Sequence, residues 1–206
     1  MDNKFIVSNS SMIEPLSKLI ASEFLDSPLI KYFIDSDDTQ YEILQIFFNR
    51  LLELYKDIGV TYVTSIDLEG TFSLVNFKNK ENSNLNIIFD SLPSLFEISS
   101  KVSIIDISNK LLDSKDILVK VKEFLSSLDK YLFLSSIAYD KSKPYKDEFL
   151  KAMLEFVVKE SLDKNIKILV ETETMQMISL YKSFGFKLNK NFKINNNTTI
   201  YFLEFN

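Results

Sequence analysis

The segment LYKSFGF, at residues 180–186, constrains the fold more tightly than any other stretch of this chain. It ends a run with helical periodicity, and Gly185 falls where many helices end in a left-handed residue that glycine adopts without cost. Counted back from that glycine, Tyr181 and Phe186 occupy the two positions that touch in a Schellman cap. The segment therefore predicts a helix that ends at this glycine and is closed by two aromatic rings.

Regular elements are predicted on both sides of this helix. In chain order they are a strand at 131–139, a helix at 144–160, a short buried strand at 166–171, the capped helix at 174–184, and a hairpin of 187–193 with 198–205. The apolar residues of the helix at 144–160 recur at helical spacing. Strands that alternate with helices and end in an antiparallel pair are typical of an α/β unit.

The first 128 residues carry weaker signals. They predict a strand at 4–8, helices at 11–26 and 39–57, a hairpin of 60–66 with 71–77, an exposed loop at 78–86, and helices near 91–102 and at 114–128. Gly59 is the expected stop of the second helix, and Ser114 is the expected N-cap of the last one. No linker is rich in proline, glycine and serine, so we expect residues 1–206 to form a single domain.

Two absences exclude more chemistry than the average composition does. The 206 residues include no cysteine and no histidine. This excludes disulfides, cysteine or histidine nucleophiles, Ser-His-Asp hydrolysis and almost all zinc, haem, copper and iron–sulfur sites. Proton transfer near neutral pH is left to carboxylates, tyrosine, lysine, the N-terminus or water. The sequence also has no EF-hand or P-loop spacing, so we expect no metal.

Charge and hydropathy narrow the class of partner. The net charge of −5 argues against a nucleic-acid-binding surface. The sequence has no run of about 18 apolar residues, and its first residues lack the basic-then-apolar plan of a signal peptide. We therefore expect a cytoplasmic protein with neither a nucleic-acid nor a membrane partner.

The pattern L-Y-x-x-x-G-F resembles a signature near the C-terminus of the GNAT superfamily of acetyl-CoA-dependent N-acetyltransferases. Residues 170–174, Val-Glu-Thr-Glu-Thr, are similar to the end of the family's fifth strand, and 131–139 with Asp140 resembles the fourth strand and its exit. The resemblance covers residues 131–205. It implies an α/β (α+β) fold with a mixed, mostly antiparallel sheet of about six to seven strands flanked by helices. It also implies a V-shaped split between the strands at 131–139 and 166–171. The helix that crosses between these two strands makes them parallel.

The resemblance also implies a reaction and a site. Acetyl-CoA would be the co-substrate, an unidentified small-molecule or peptide amine the acceptor, and direct transfer the reaction. Tyr181 would be the general acid, and Glu171 would bind the amine or accept its proton. The residues implied in cofactor binding are Ile137, Ala138 and Tyr139 on the fourth strand, and Lys143, Tyr145, Lys146, Asp147 and Glu148 on the loop and helix after it. Members of the family are often dimers, which leaves a homodimer open.

The loop at 142–147 keeps alternatives open. Aligned with the family's pyrophosphate loop, Q/R-x-x-G-x-G/A, it has Tyr145 and Asp147 in place of the small residues, and Pro144 removes a donor. It is therefore either a degenerate CoA site that uses its lysines or a solvated loop with proline at a helix start. Tyr181 could equally be a cap residue, and Glu171 a surface carboxylate. The alternative to an N-acetyltransferase is a non-catalytic acyl-CoA-binding, ligand-binding or interaction protein with the same fold.

Overall fold

The architecture comes from a computed structural model that describes residues 5–34, 40–76, 109–110, 112–128 and 130–206. In this part of the chain, the strands are β1 (Ile6–Val7), β2 (Gly59–Val63), β3 (Gly70–Val75), β4 (Tyr131–Tyr139), β5 (Lys167–Thr172), β6 (Lys187–Lys193) and β7 (Thr199–Phe205). The helices are α1 (Ile13–Phe24), α2 (Pro28–Phe33), α3 (Gln40–Ile58), α4 (Lys115–Ser127), α5 (Lys146–Lys164) and α6 (Met175–Ser183). The expected loop at 78–86 and helix near 91–102 lie outside the described residues.

The seven described strands form one sheet in the order β1-β2-β3-β4-β5-β7-β6. All neighbouring pairs are antiparallel except β4 with β5, which run parallel. A parallel pair needs a crossover, and α5 provides it. The expected mixed, mostly antiparallel sheet is confirmed, as is the parallel direction of these two strands.

Helices pack on both faces of the sheet and bury a separate apolar cluster on each. The first face, called the α1/α3 face below, packs against α1, α2, α3 and α4, with Leu16, Leu44 and Phe202 among its buried residues. The second face, called the α5/α6 face, packs against α5 and α6, with Met153 and Ile178 among its buried residues. Both faces of the central strands are therefore apolar, apart from a few polar positions that prove important at the site.

The cap predicted from residues 180–186 is present. Gly185 has a φ of 91°, and its N–H donates to the Lys182 carbonyl at 3.0 Å. The Phe186 N–H donates to the Tyr181 carbonyl at 3.1 Å, which completes the Schellman pattern. The two rings pack with their centroids 5.6 Å apart. The cap fixes the end of α6 and holds the Tyr181 side chain in the core.

Two helix-end predictions are right in position but wrong in cause. The helix α3 ends at Ile58, but Gly59 begins β2, where an added Cβ would lie 2.5 Å from the Leu74 carbonyl oxygen. That glycine is required by the close approach of β3. Ser114 precedes α4 without a side-chain cap. Its backbone is already helical, with a φ of −91° and a ψ of 0°, and its N–H donates to the Lys110 carbonyl at 3.0 Å, whereas an N-cap residue is extended.

The short helix α2 was not predicted. Ser27 is its N-cap, with a hydroxyl that accepts a hydrogen bond from the Ile30 N–H at 3.1 Å, and Pro28 follows in the first turn. Serine followed by proline is a common start of a helix, so the signal was present in the sequence.

Among the described helices, none is long and apolar enough to span a bilayer.

Candidate active site

The centre of the sheet is split. Pairing between β4 and β5 stops after four positions, the last of which joins Leu134 to Val170. Beyond that point β4 stays paired with β3 as far as Tyr139, while β5 stays paired with β7 as far as Thr172. The two strands therefore separate toward their carboxyl ends, as predicted, and leave a cleft of about 500 Å³.

A bulge lies on the β4 wall of the cleft. Thr71 of β3 pairs with Ala138 of β4, and Ser73 pairs with Ser135. Two steps along β3 therefore match three steps along β4, so β4 carries one extra residue. Ser136 lies in this bulge and has a φ of 53°, a left-handed conformation that few non-glycine residues adopt. A bulge leaves its extra residue out of the ladder and increases the local twist. The bulge lies beyond the last β4–β5 pair, and both Ser136 and Ile137 line the cleft.

A buried tyrosine from α3 supports the bulge. The Tyr55 hydroxyl lies 2.9 Å from the Ser135 hydroxyl, which in turn lies 3.4 Å from that of Ser136. Burial raises the pKa of Tyr55 to about 12, so its hydroxyl stays protonated over the physiological pH range. A left-handed residue persists only where its surroundings hold it, and this hydrogen-bonded chain holds it from the α1/α3 face.

Glu171 is the most unusual charged group of the cleft. It lies on β5 opposite Phe202, whose side chain belongs to the α1/α3 face. Its Oε1 atom is shielded from solvent and has no hydrogen-bond partner. Burial, and to a lesser degree the charge of Glu173, raises the pKa of Glu171 to about 8. The carboxyl group is therefore poised to gain or lose a proton close to neutral pH.

Tyr181 reaches the same cleft from the α5/α6 face. The residue is only 1% exposed. Burial raises the pKa of its hydroxyl, and the negative charge of Glu171 raises it further. The two groups approach the cleft from opposite faces of the sheet, and the charge of Glu171 still acts on the Tyr181 hydroxyl. The structure thus brings together the two residues that sequence reasoning assigned to catalysis.

Glu173, which was not singled out from the sequence, ties β5 to α2. Its Oε1 atom accepts a hydrogen bond from the Ser27 hydroxyl at 2.8 Å, and its Oε2 atom accepts one from the Leu29 N–H at 2.7 Å. Burial nevertheless leaves its pKa above the usual value, against the lowering effect of these two hydrogen bonds. An acidic side chain at a helix N-terminus is favourable. Glu173 therefore fixes α2 as one wall of the cleft.

The loop after β4 has its own hydrogen bonds and ion pairs. Asp140 Oδ1 accepts hydrogen bonds from the Ser142 N–H and hydroxyl, at 2.9 and 2.7 Å, which explains why the pKa of Asp140 is lowered. Lys141 lies 3.7 Å from a Glu23 carboxylate oxygen, and Lys143 lies 3.8 Å from one of Glu69. The N-terminus of α5 lacks a side-chain cap, so its first amides are free to meet an anion.

The residues implied in cofactor binding are divided by the structure. Ile137, Tyr139 and Lys146 line the cleft, and the Lys146 ammonium lies 4.8 Å from the centre of the Tyr139 ring. The Ala138 side chain is buried on the α1/α3 face, so only its backbone could meet a ligand. The other four are exposed and lie outside the cleft lining, namely Lys143, Tyr145, Asp147 and Glu148.

Comparison with known proteins identifies the fold. No family model matches the chain, and no curated protein matches it either. A solved acetyltransferase of Corynebacterium glutamicum, described as histone acetyltransferase HPA2 and related acetyltransferase, has a TM-score of 0.65 at 14% identity, over 99% of this chain and 96% of that one. A putative GNAT-family acetyltransferase of Desulfovibrio desulfuricans has a TM-score of 0.55 at 9% identity, over 98% and 97%.

A third solved structure carries a ligand. YncA of Salmonella typhimurium, a putative acetyltransferase solved with its cofactor acetyl-CoA, has a TM-score of 0.51 at 8% identity, over 100% of this chain and 94% of that one. Taken together, these likenesses show that the chain has the fold of the GNAT acetyltransferases. The resemblance found in residues 131–205 is confirmed at the level of the fold, and it extends to the N-terminal part of the chain.

Proposed function

We propose that this protein is an N-acetyltransferase that moves the acetyl group of acetyl-CoA directly to an amine. The observation that carries the proposal is the split between β4 and β5, which opens a cleft that both Glu171 and Tyr181 line. A site of this shape holds a thioester and an amine in line, and such alignment is a large part of what acyl transfer requires. The likeness in fold to acetyltransferases, one of them solved with acetyl-CoA, supports the reaction class.

An acceptor that arrives as an ammonium ion first loses one proton to solvent, because only the neutral amine has a free electron pair. The neutral amine then has one proton to lose as it is acetylated, and the thiolate has one to gain. The amine nitrogen attacks the thioester carbonyl carbon, a C–N bond forms, and the C–S bond breaks. Glu171 takes the proton from the nitrogen, which suits a carboxylate with a pKa of about 8. Tyr181 donates its proton to the departing thiolate. Once Glu171 is protonated its negative charge is gone, so one cause of the raised pKa of Tyr181 disappears as the thiolate leaves.

The donor would lie along β4. Free backbone N–H groups near the bulge at Ser136 would donate hydrogen bonds to the thioester oxygen and the pantetheine arm. The uncapped N-terminus of α5 and the Lys146 ammonium suit the pyrophosphate. Asp147 and Glu148, in the first turn of α5, oppose an anion there. We therefore expect weaker binding than a glycine loop gives.

The test compares two buried tyrosines that differ in position. Tyr181→Phe removes a hydroxyl from the cleft and keeps the ring against Phe186. Tyr131→Phe removes one at the other end of β4, where the hydroxyl lies 3.4 Å from the Leu125 carbonyl oxygen. With acetyl-CoA and a panel of polyamines, amino sugars, arylalkylamines and peptide N-termini, we expect release of free CoA thiol and an acetylated amine in the mass spectrum.

The two variants should then separate. Tyr181→Phe should lower the rate by about 10²–10⁴, the usual range for lost acid–base catalysis, while its melting temperature stays near that of the wild type. Tyr131→Phe should keep the full rate. A working acceptor with Tyr181→Phe at the wild-type rate would show that another group or water is the acid.

One observation favours a second function, that of a non-catalytic acyl-CoA-binding protein. Two of the loop lysines already face carboxylates, Lys141 with Glu23 and Lys143 with Glu69, and no glycine opens the loop to phosphate. If the protein only binds acyl-CoA, we expect acetyl-CoA to raise its melting temperature without giving any acetylated product. A ligand that binds only the folded state stabilises it by about 2.7 kcal/mol at one hundred times its dissociation constant. If millimolar acetyl-CoA gives no stabilisation and no acetylated product, both functions are excluded.

A further inference from the structure

We infer that the acceptor is a primary monoamine with an apolar body, preferably aromatic, whose ammonium group lies at Glu171 and whose body lies in a chamber lined by phenylalanines. This names the substrate class for the proposed acetyl transfer and rests on that function. Three features of the cleft point to this acceptor: the position of Glu171, the apolar lining on one face of the sheet, and the partners of the neighbouring carboxylates.

The Glu171 side chain opens toward the α1/α3 face. Side chains alternate along a strand, and Leu169, two residues earlier, belongs to the cluster on that face. The paired residue Phe202 belongs to it too. Because Oε1 of Glu171 is buried in the cleft wall without a hydrogen-bond partner, the charged form lacks a donor. An ammonium group supplies both the donors and the opposite charge.

The cleft is apolar on the face to which Glu171 points. Phe24 at the end of α1 and Phe48 on α3 line it, with ring centroids 5.0 Å apart. Leu29 and Ile30 of α2 form another wall, and the bonds of Glu173 to Ser27 and Leu29 hold that wall in place. Aromatic walls favour a flat aromatic guest through edge and offset contacts, beyond the burial of its area.

The remaining carboxylates of the cleft are already engaged. Both oxygens of Glu173 accept hydrogen bonds from the start of α2. Glu23 faces Lys141 at 3.7 Å, and Asp26 faces Lys31 at 3.0 Å. The Oε2 atom of Glu23 is also buried without a hydrogen-bond partner, but it faces the Lys141 ammonium. Among the described carboxylates that line the cleft, Glu171 is thus the one with neither a hydrogen bond nor a lysine beside it. A polyamine would have to displace a lysine or N–H partner from one of the other carboxylates, or leave its second ammonium group among apolar side chains, and burying an unpaired charge is costly.

The experiment measures binding by calorimetry in the presence of CoA, which occupies the donor site but transfers nothing. The probes are 2-phenylethylamine, its neutral analogue 2-phenylethanol, ethylamine and spermidine. We expect 2-phenylethylamine to bind at least about tenfold more tightly than each of the other three. Glu171→Gln should remove this advantage over 2-phenylethanol, and Phe24→Leu should weaken 2-phenylethylamine severalfold. Glu155→Gln, on the exposed surface of α5, is the control and should change neither.

The outcomes separate the ligand class from the catalysis. Binding of 2-phenylethylamine without its acetylation would support the ligand class and refute the proposed transfer. Acetylation of spermidine in preference to 2-phenylethylamine would refute the ligand class and leave the transfer standing. Equal affinity for 2-phenylethanol would also refute it, since Glu171 would then contribute nothing. A tenfold preference for octanoyl-CoA over acetyl-CoA with ethylamine as acceptor would assign the chamber to the acyl chain, and would overturn the inference as well.

Discussion

Replacing Glu171 by glutamine should change how the stability of the protein depends on pH. The native state holds the proton of this carboxyl group more tightly than the unfolded chain does, because burial raises its pKa from 4.5 to about 8. The stability that this proton contributes is fully present below pH 4.5. It is lost progressively as the pH rises through about 8. Glutamine carries no titrating proton, so the variant lacks this loss.

The shift sets the size of the effect. It is 8 − 4.5 = 3.5 units, and each unit corresponds to 1.36 kcal/mol, so the upper limit is about 5 kcal/mol. Although its Oε1 atom is shielded, Glu171 as a whole residue is only half-buried, which reduces the penalty for its charged form. We therefore expect the difference in unfolding free energy, Glu171→Gln minus wild type, to increase by about 1–3 kcal/mol when the pH is raised from 5 to 9.

The measurement is urea unfolding, followed by circular dichroism, at five pH values from 5 to 9. The raised pKa of Glu173 adds its own pH dependence, but both proteins share it, so the difference between them isolates position 171. Glu155→Gln, an exposed residue in an ion pair with Lys151, should follow the wild type at every pH. If the curves of wild type and Glu171→Gln run parallel from pH 5 to pH 9, then Glu171 is not held in a desolvated site.

Three further changes test the scaffold, each by urea unfolding. Gly59→Ala should lose about 1–3 kcal/mol, since its Cβ would meet the Leu74 carbonyl oxygen at 2.5 Å; wild-type stability would contradict the close approach of β3. Ser27→Ala should lose about 0.5–2 kcal/mol and weaken ligand binding at the cleft, whereas unchanged values would mean that α2 needs no cap. Tyr55→Phe should lose roughly 1 kcal/mol through its bond to Ser135; no loss would show that the bulge at Ser136 is held by other contacts.

Local signals in the sequence were enough to predict much of the fold. The end of α6 depends on residues that lie within six positions of one another, from Tyr181 to Phe186, so the cap could be predicted from spacing alone. The parallel direction of β4 and β5 followed from the helix between them and a general rule of handedness. In both cases the interaction that decides the structure is short in sequence.

Features set by distant partners could not be predicted in the same way. Glu173 contacts Ser27, 146 positions away, and no pattern near either residue indicates the pair. The same holds for Gly59, whose close neighbour is the backbone of another strand. Glu171 was named from a resemblance, but its missing hydrogen-bond partner is a property of the packed cleft. Sequence patterns can place a carboxyl group on a strand, whereas its solvation depends on what the rest of the chain builds around it.

The short pairing between β4 and β5 also has a mechanical consequence. It joins two parts of the sheet, β1–β4 and β5–β7, through four paired positions at one end. Each part keeps its own antiparallel pairing, and α5 belongs to one buried cluster with Leu74 of β3 and Val170 of β5. A small rotation of one part against the other about these four pairs would change the width of the cleft without breaking any antiparallel strand pair, so closing on a ligand would not require the sheet to come apart.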